Sequence, residues 1–371
     1  MTILAQPINF KANSTMSELL NAELEGDSQY HPNLGGVTHG GMANHYPMTI
    51  MSMASLGASD SQLKSFKRHW PRHRALINQA LHLLDNEELT TENWHAYLGQ
   101  SDKLKEFRRV FIELFSEQDI AGVITDSLKK MQNGLPMGLF HPLIRLSFAA
   151  MHGDTGPLAD ALAYMAIRYR DIYQAEHLPQ VKIANTVLKN ADETWTVIRK
   201  LDQKQVLQNY LPHLMSGGSI NICEQLCESP YVQKLALSGS FRVDADSLNA
   251  SVRQICAASI KLYLFEPALT TLHAVTACQA LADLTQRYAT NNVCHRQFAS
   301  LWQRIWVWLT ALYIEKACPS LNNLADRTEE IPADGWQQLS AKALKTNEVH
   351  IIKMLFSCKW LFEQIKEDQL F

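Results

Sequence analysis

A lysine and a histidine lie three residues apart in an apolar segment near the end of the chain. In residues 347–356, His350 and Lys353 are surrounded by isoleucine, methionine, leucine and phenylalanine. On a helix this spacing places both side chains on one face. A buried Lys353 would become a neutral amine, which is a nucleophile or can add carbon dioxide to form a carbamate. The alternative is a lysine whose stem is buried while its ammonium reaches water, beside a core histidine.

Three further histidines share this apolar setting. His45 and His141 each stand at the entrance to an almost uncharged run, and His273 lies within the apolar face of a helical pattern. Imidazole is a common metal ligand, and imidazole combined with oxygen donors suits iron. Four histidines that converge on Lys353 would form a metal centre. Taken singly, each is also explained as a core histidine bonded to a carbonyl group, and no local motif such as His-Glu-x-x-His is present.

Bulk composition limits the classes of function. The 371 residues are 46% hydrophobic and 19% charged, with a formal net charge of −3. The absence of a basic stripe argues against a nucleic-acid or membrane-surface partner. Seven scattered cysteines indicate free thiols in a reducing compartment. No signal peptide and no apolar run of about 18 residues is apparent, so we expect a cytoplasmic protein with no membrane contact. Nothing indicates its oligomeric state.

Helical periodicity dominates the chain. Apolar residues recur at three- and four-residue steps, and no β alternation is visible. We therefore predict an all-α fold, with residues 1–371 forming a single compact multi-helix domain that has several buried helices. The predicted helices include residues 45–58, 102–115, 120–131, 142–151, 245–263, 298–313 and 348–365.

Other catalytic signals are weaker. The sequence has no dinucleotide-binding glycine pattern after a strand, no phosphate-binding loop and no Gly-x-Ser-x-Gly turn. Arg145 lies one turn after His141 and faces either a cavity or a carboxylate, with an ion pair favoured. Trp302 and Trp306 line a cavity or pack in the core, with core packing favoured.

Four short blocks of the sequence resemble, in the same order, blocks of the questin oxidase-like family. The first is Gly-Gly-Met-Ala-Asn-His-Tyr-Pro-Met at residues 40–48, followed by Ala-Ser-Leu-Gly-Ala at 54–58. The second is Gly-Leu-Phe-His-Pro-Leu-Ile-Arg-Leu at 138–146. The others are Thr-Leu-His-Ala-Val-Thr at 271–276 and Val-His-Ile-Ile-Lys at 349–353. The resemblance spans most of the chain.

The resemblance implies an oxygenase. Fungal members of the family open an aromatic ring of anthraquinones and related polyketides by oxygen insertion, and have been described as Baeyer–Villiger-type oxidases that use NADPH. At least one member resembles a non-haem iron dioxygenase whose iron is held by four histidines and a carboxylated lysine. Carried onto this chain, the implied ligands are His45, His141, His273, His350 and Lys353.

Some positions weaken the correspondence. His39 is the nearest substitute for the fourth histidine, and Arg145 and Gln279 stand where we would expect relatives to carry histidine. The resemblance thus implies an Fe(II)-dependent oxygenase that uses dioxygen on a small aromatic substrate and leaves the choice between mono- and dioxygenase open. Two alternatives remain: an NADPH-dependent oxidase without a metal, and a non-catalytic helical protein that binds polycyclic aromatic ligands.

Overall fold

The structure is a computed structural model that describes residues 14–36, 42–70, 89–173, 190–203, 218–237, 241–321, 332 and 334–365. Within these ranges the regular secondary structure consists of α-helices and short 3₁₀ turns, and no β-strand is formed. The predicted all-α class is therefore confirmed. One continuous buried cluster joins Leu20 in the first helix to Ile365 in the last. That all of residues 1–371 form a single domain stays a prediction.

The described residues up to residue 203 contain eight α-helices. They are α1 (Ser14–Asp27), α2 (Tyr46–Ser55), α3 (Asp60–His69), α4 (Leu104–Glu117), α5 (Ile120–Met131), α6 (His141–His152), α7 (Thr155–Arg168) and α8 (Ala191–Gln203). The 3₁₀ turns Trp94–Tyr97 and Gln132–Gly134 precede α4 and follow α5, respectively.

Seven more α-helices follow among the described residues of the second half. They are α9 (Ser219–Glu228), α10 (Pro230–Leu237), α11 (Leu248–Phe265), α12 (Leu269–Tyr288), α13 (Asn292–Glu315), α14 (Gly335–Ala343) and α15 (Val349–Ile365).

Four of these helices close into a ring at the centre of the fold. Helix α2 packs on α6, α6 on α12, α12 on α15, and α15 returns to α2. All twelve residues of α6 are buried, and the first eight residues of α2 are buried as well. A helix that is apolar on every side must be enclosed by other helices. The uncharged runs noted in the sequence therefore form the inner elements of the protein.

Amphipathic helices surround this ring. Helix α4, which buries Phe107, Val110, Phe111 and Leu114, packs against α7, and α7 in turn packs on α6. Helix α13 runs past α9, α10, α11 and α12. This second layer supports the ring and holds its helices in fixed positions.

Local capping signals set several helix ends. The predicted α5 matches the observed bounds, with the Asp119 carboxylate accepting from the main-chain N–H of Gly122. The cap of α3 is Ser59, which forms a reciprocal capping box with Gln62. Helix α13 begins six residues earlier than predicted, because the side chain of Asn291 accepts from two main-chain N–H groups of its first turn.

The sequence also predicts helical segments at residues 76–84 and 183–211; all of the first and both ends of the second lie outside the described residues. All seven cysteines are described and carry free thiols, as predicted. Among the described helices, none combines the length and the apolarity needed to cross a membrane.

Candidate metal centre

The first turns of the four ring helices meet at one point. His45 immediately precedes α2, His141 is the first residue of α6, His273 is the fifth residue of α12, and His350 is the second residue of α15. Ring centroids are 4.7 Å apart for His45 and His141, 4.8 Å for His45 and His350, 4.6 Å for His141 and His273, and 5.5 Å for His273 and His350. The structure thus brings all four predicted histidines together.

Hydrogen bonds of Asn44, the residue before His45, hold the turn that carries His45. The Asn44 side-chain oxygen accepts from the main-chain N–H of Tyr46, and its Nδ2 donates to both carboxylate oxygens of Asp27 at 2.9 and 3.1 Å. Pro47 follows in the first turn of α2, where a missing N–H costs nothing. These contacts fix the direction in which the His45 ring leaves the main chain.

A left-handed turn presents His141. Gly138, Leu139 and Phe140 have φ values of 65°, 53° and 62°. Leucine and phenylalanine seldom adopt this conformation, because their Cβ atoms crowd the backbone. Strain of this kind persists where packing enforces it and is common at functional sites. Here it brings the Gly138 carbonyl oxygen to 2.6 Å from Nδ1 of His141.

His141 and His273 share one hydrogen-bond pattern. Nδ1 of His273 lies 2.8 Å from the Leu269 carbonyl oxygen, as Nδ1 of His141 does from that of Gly138. A carbonyl oxygen only accepts, so both Nδ1 atoms carry the proton and both neutral rings present a lone pair at Nε2. Those two Nε2 atoms face each other at 3.1 Å. Two facing lone pairs repel unless a cation lies between or beside them.

The fifth predicted residue, Lys353, completes the cluster. Its side chain is 1% exposed, and Nζ lies 2.7 Å from Nδ1 of His45. Burial lowers the pKa of this amine to about 7. The alternative of a lysine that reaches water is therefore wrong. A near-neutral amine stands among the imidazoles.

Electrostatics keep the imidazoles neutral. Burial is the main cause that lowers the pKa of each of the four rings, and the nearby Lys353 amine lowers it further; for His141 the pKa falls to about 3. Four helix N-termini also point their partial positive charge at this site, which disfavours further cations on the side chains. Neutral imidazole is the form that donates a lone pair to a metal.

The donor atoms of the cluster are of types that bind a metal ion, but their side chains do not stand in a ligating arrangement. Within the described residues, no group of three or more His, Cys, Asp or Glu side chains already stands in a ligating arrangement. The 3.1 Å between Nε2 of His141 and Nε2 of His273 nevertheless matches two neighbouring ligands, since nitrogens about 2.1 Å from one ion and at a right angle are about 3 Å apart. Metal-bound histidines also commonly donate their other N–H to a main-chain carbonyl.

A half-open cavity of about 320 Å³ gives access to the cluster. All four histidines line it, together with apolar and polar residues from α7, α9, the start of α12 and the loops before α2 and α6. The apolar lining residues are Met42, Ala43, Leu139, Ile220 and Leu269, and the polar ones are Asn33, Tyr164, Arg168 and Glu224. This volume lies at the lower end of the range for small-molecule sites.

The tryptophans of α13 do not line this cavity. Trp302 donates its ring N–H to the Thr285 hydroxyl, and Trp306 donates to the Ala236 carbonyl and stacks on Trp195. Both are fully buried. Core packing, the favoured interpretation of Trp302 and Trp306, is therefore confirmed.

The positions that depart from the expected family pattern have structural roles. The Arg145 guanidinium lies 3.3 Å from the buried Asp27 carboxylate, so the predicted ion pair is confirmed. Gln279 is fully buried, and its side-chain oxygen accepts from the Ser357 hydroxyl. His39 lies outside the described residues. The role of His45, His141, His273, His350 and Lys353 as metal ligands stays a prediction.

Sequence reasoning missed the polar lining of the cavity. Arg168 ends α7, and Tyr164, one turn earlier, donates its hydroxyl to the side-chain oxygen of Asn33. Glu224 comes from α9. None of these residues belongs to a recognisable motif, since they come from three separate parts of the chain, with Tyr164 and Arg168 together on α7. The sequence does show an arginine directly after the buried run 161–167, but it does not indicate that this arginine lines a cavity.

A match to a protein family supports the grouping of these residues. A family model described as "Questin oxidase-like" matches residues 42–358, which include all five residues of the cluster. No curated protein matches the chain significantly.

Proposed function

The chain belongs to the questin oxidase-like family, and from this premise we propose that it is a non-haem iron-dependent oxygenase that opens a ring of an aromatic, anthraquinone- or polyketide-like substrate. Family membership by itself suggests an oxidoreductase of the oxygenase type with substrates of that class. The metal, its ligands and the use of dioxygen are the finer parts of the proposal.

One observation carries the proposal. Nε2 of His141 and Nε2 of His273 stand 3.1 Å apart with both Nδ1 protons held by main-chain carbonyls. Without a cation, this arrangement sets two buried lone pairs against each other, which costs free energy. A divalent ion bound by both nitrogens removes the repulsion. The neighbouring rings of His45 and His350 supply two more nitrogen donors within the same cluster.

Lys353 supplies the remaining donor in this proposal. A neutral amine adds carbon dioxide at Nζ and releases a proton, which leaves a carbamate whose single negative charge is shared by two oxygens. The lowered pKa makes the neutral amine available near neutral pH. The positive ends of four helices favour the negative charge of a carbamate at this point. The product is a set of four nitrogens and one oxygen, which suits iron.

The residues around the cluster then prepare the substrate. Bound iron would activate dioxygen for insertion into an electron-rich ring. Leu139, Ile220 and Leu269 form an apolar wall that can accept a flat ring and exclude water beside the histidines. The carbonyls of Gly138 and Leu269 keep their ring protons in place throughout, so that His141 and His273 keep Nε2 directed at the centre.

Iron content tests the proposal directly. We expect purified protein reconstituted anaerobically with Fe(II) to retain about one iron per chain, measured by mass spectrometry of the metal. His273→Ala and Lys353→Ala should each lose most of that iron, since second-sphere and ligand changes commonly cost tenfold or more in metal affinity. His69→Ala, which removes an exposed histidine on α3, is the matched control and should keep its iron.

Two further measurements separate the alternatives. Labelling with ¹³C-bicarbonate should give a carbamate resonance in the wild type that Lys353→Ala lacks. A folded wild type that binds no iron but consumes oxygen and NADPH with a quinone substrate would replace the proposal with the metal-free oxidase. Quinone binding without oxygen uptake in iron-loaded protein would replace it with a non-catalytic binder.

A further inference from the structure

Arg168 is a cavity residue whose charge lacks a carboxylate partner among the described residues. It is the last residue of α7, and its guanidinium lines the cavity that leads to the histidines. Its Nε is buried and finds no hydrogen-bond acceptor in the described part of the chain. No described carboxylate comes within ion-pair distance of it, in contrast to Arg108, Arg145 and Arg170. A buried donor without an acceptor destabilises the native state, because its hydrogen bond to water is lost and not replaced.

The carboxylates near Arg168 are already engaged elsewhere. Glu224, which also lines the cavity, accepts from Arg170 at 2.6 Å. Asp27 pairs with Arg145 inside the helical layer. Arg168 therefore has no ion-pair partner of its own among the described residues, although the Glu224 carboxylate is near enough to attract its charge. An arginine in this state is suited to bind an anion from outside the chain.

Arg168 is also close to the histidine cluster. A side-chain carbon placed on Gly138 would lie 3.3 Å from Nε of Arg168. The same glycine offers its carbonyl oxygen to Nδ1 of His141. The guanidinium and the His141 ring therefore flank one turn of the backbone. A ligand held by Arg168 is brought beside the Nε2 atoms of His141 and His273.

We propose that Arg168 anchors an acidic substituent of the substrate, a carboxylate bound by the guanidinium fork, and so fixes which ring faces the histidines. This inference rests on the proposed function, because it assigns the substrate class of the same site. The planar guanidinium binds a carboxylate through two parallel hydrogen bonds, which sets orientation as well as position. The apolar wall of Leu139, Ile220 and Leu269 accepts the uncharged body of the molecule. The substrate is therefore an aromatic acid rather than a neutral polycyclic compound.

A matched pair of probes tests the anchor. Anthraquinone-2-carboxylate and anthraquinone-2-carboxamide have the same shape and differ in charge. Binding of both to iron-treated protein is measured anaerobically by titration calorimetry, so that no turnover occurs. We expect the wild type to bind the carboxylate about 10- to 100-fold more tightly, the range expected for hydrogen bonds to a charged group. Arg168→Gln should reduce this ratio to about 1.

Controls keep the outcomes separate. Arg109→Gln removes an equal charge from the exposed side of α4 and should keep the wild-type ratio. Arg168→Lys keeps the charge but loses the fork, so its ratio should fall several-fold; this variant also serves if Arg168→Gln fails to fold. A ratio near 1 in the wild type, or an unchanged ratio in both Arg168 variants, overturns the inference.

Iron is measured in the same samples. A lost carboxylate preference in a variant that keeps its iron supports the anchor independently of the metal. A carboxylate preference that depends on Arg168 in protein that binds no iron supports the anchor and overturns the proposed oxygenase alone.

Discussion

Replacing Lys353 with methionine should stabilise the metal-free protein at neutral pH. Burial moves the pKa of this amine from 10.5 to about 7, which corresponds to about 5 kcal/mol of native-state destabilisation at pH 7 relative to an unburied lysine. Methionine has a similar length, carries no charge and is a good helix former. The change also removes the contact between Nζ and Nδ1 of His45, which costs about 1–3 kcal/mol. The free energy of unfolding should therefore rise by about 2–4 kcal/mol.

The pH dependence has a definite sign. Between pH 7 and 10.5 the unfolded chain holds a proton on Lys353 that the native state does not hold. The wild-type free energy of unfolding should therefore rise with pH in this window, by up to about 1.4 kcal/mol per pH unit from this group. This gain in the free energy of unfolding is complete above pH 10.5 and is lost as the pH falls to about 7. Lys353→Met has no amine to titrate at this position. The stability difference between the variant and the wild type should therefore shrink by about 2 kcal/mol from pH 7 to pH 9.

Urea unfolding of chelator-treated protein in carbon dioxide-free buffer at pH 7 and pH 9 measures both effects. Excluding carbon dioxide keeps the amine unmodified. Lys359→Met is the control on the same helix, where the lysine is partly exposed and pairs with Glu363, and it should change stability by less than about 0.5 kcal/mol. A Lys353→Met variant less stable than the wild type at pH 7, or a stability difference that is the same at both pH values, would refute the reasoning.

Two further changes test the scaffold. Asp27→Ala leaves the Arg145 guanidinium buried without its carboxylate and removes the acceptor of Asn44, so we expect a loss of about 3–5 kcal/mol in urea unfolding; a loss below about 1 kcal/mol would contradict a buried ion pair. Ala317→Gly should raise the free energy of unfolding by about 0.5–1 kcal/mol, because this exposed alanine has φ of 59° and the relief of strain exceeds the added chain entropy. A destabilised Ala317→Gly variant with an unchanged urea dependence would show that the turn is not strained.

The sequence predicted helices well where both the apolar period and the end signals were local. Helix α5 matches its predicted bounds because Asp119 and the Asn133-Gly134 pair mark its two ends. Helix α6 ends at Gly153, which adopts a φ of 88° that glycine tolerates. The start of α13 was missed because its first turn is exposed and polar, so apolar periodicity begins only later.

The candidate site was predicted as a set of residue types and not as a geometry. His45 and Lys353 lie 308 positions apart in the sequence, yet their nitrogens are 2.7 Å apart. Their setting in apolar runs is a local property, and so is the family resemblance of the segments that carry them. Whether Lys353 reaches water or the histidines depends on how α15 is rotated against α2 and α12, which no local window specifies.

The amino-acid sequence alone determined the helical class, the segments that must be buried and the identity of five polar residues placed among apolar neighbours. These properties follow from periodicity and from the cost of exposing apolar surface. Only the tertiary structure decided that four helix beginnings meet, that Nε2 of His141 faces Nε2 of His273, and that Arg168 enters the cavity. The physical reason is that the relative position of helices is set by many side-chain contacts acting together, each between residues far apart in the chain.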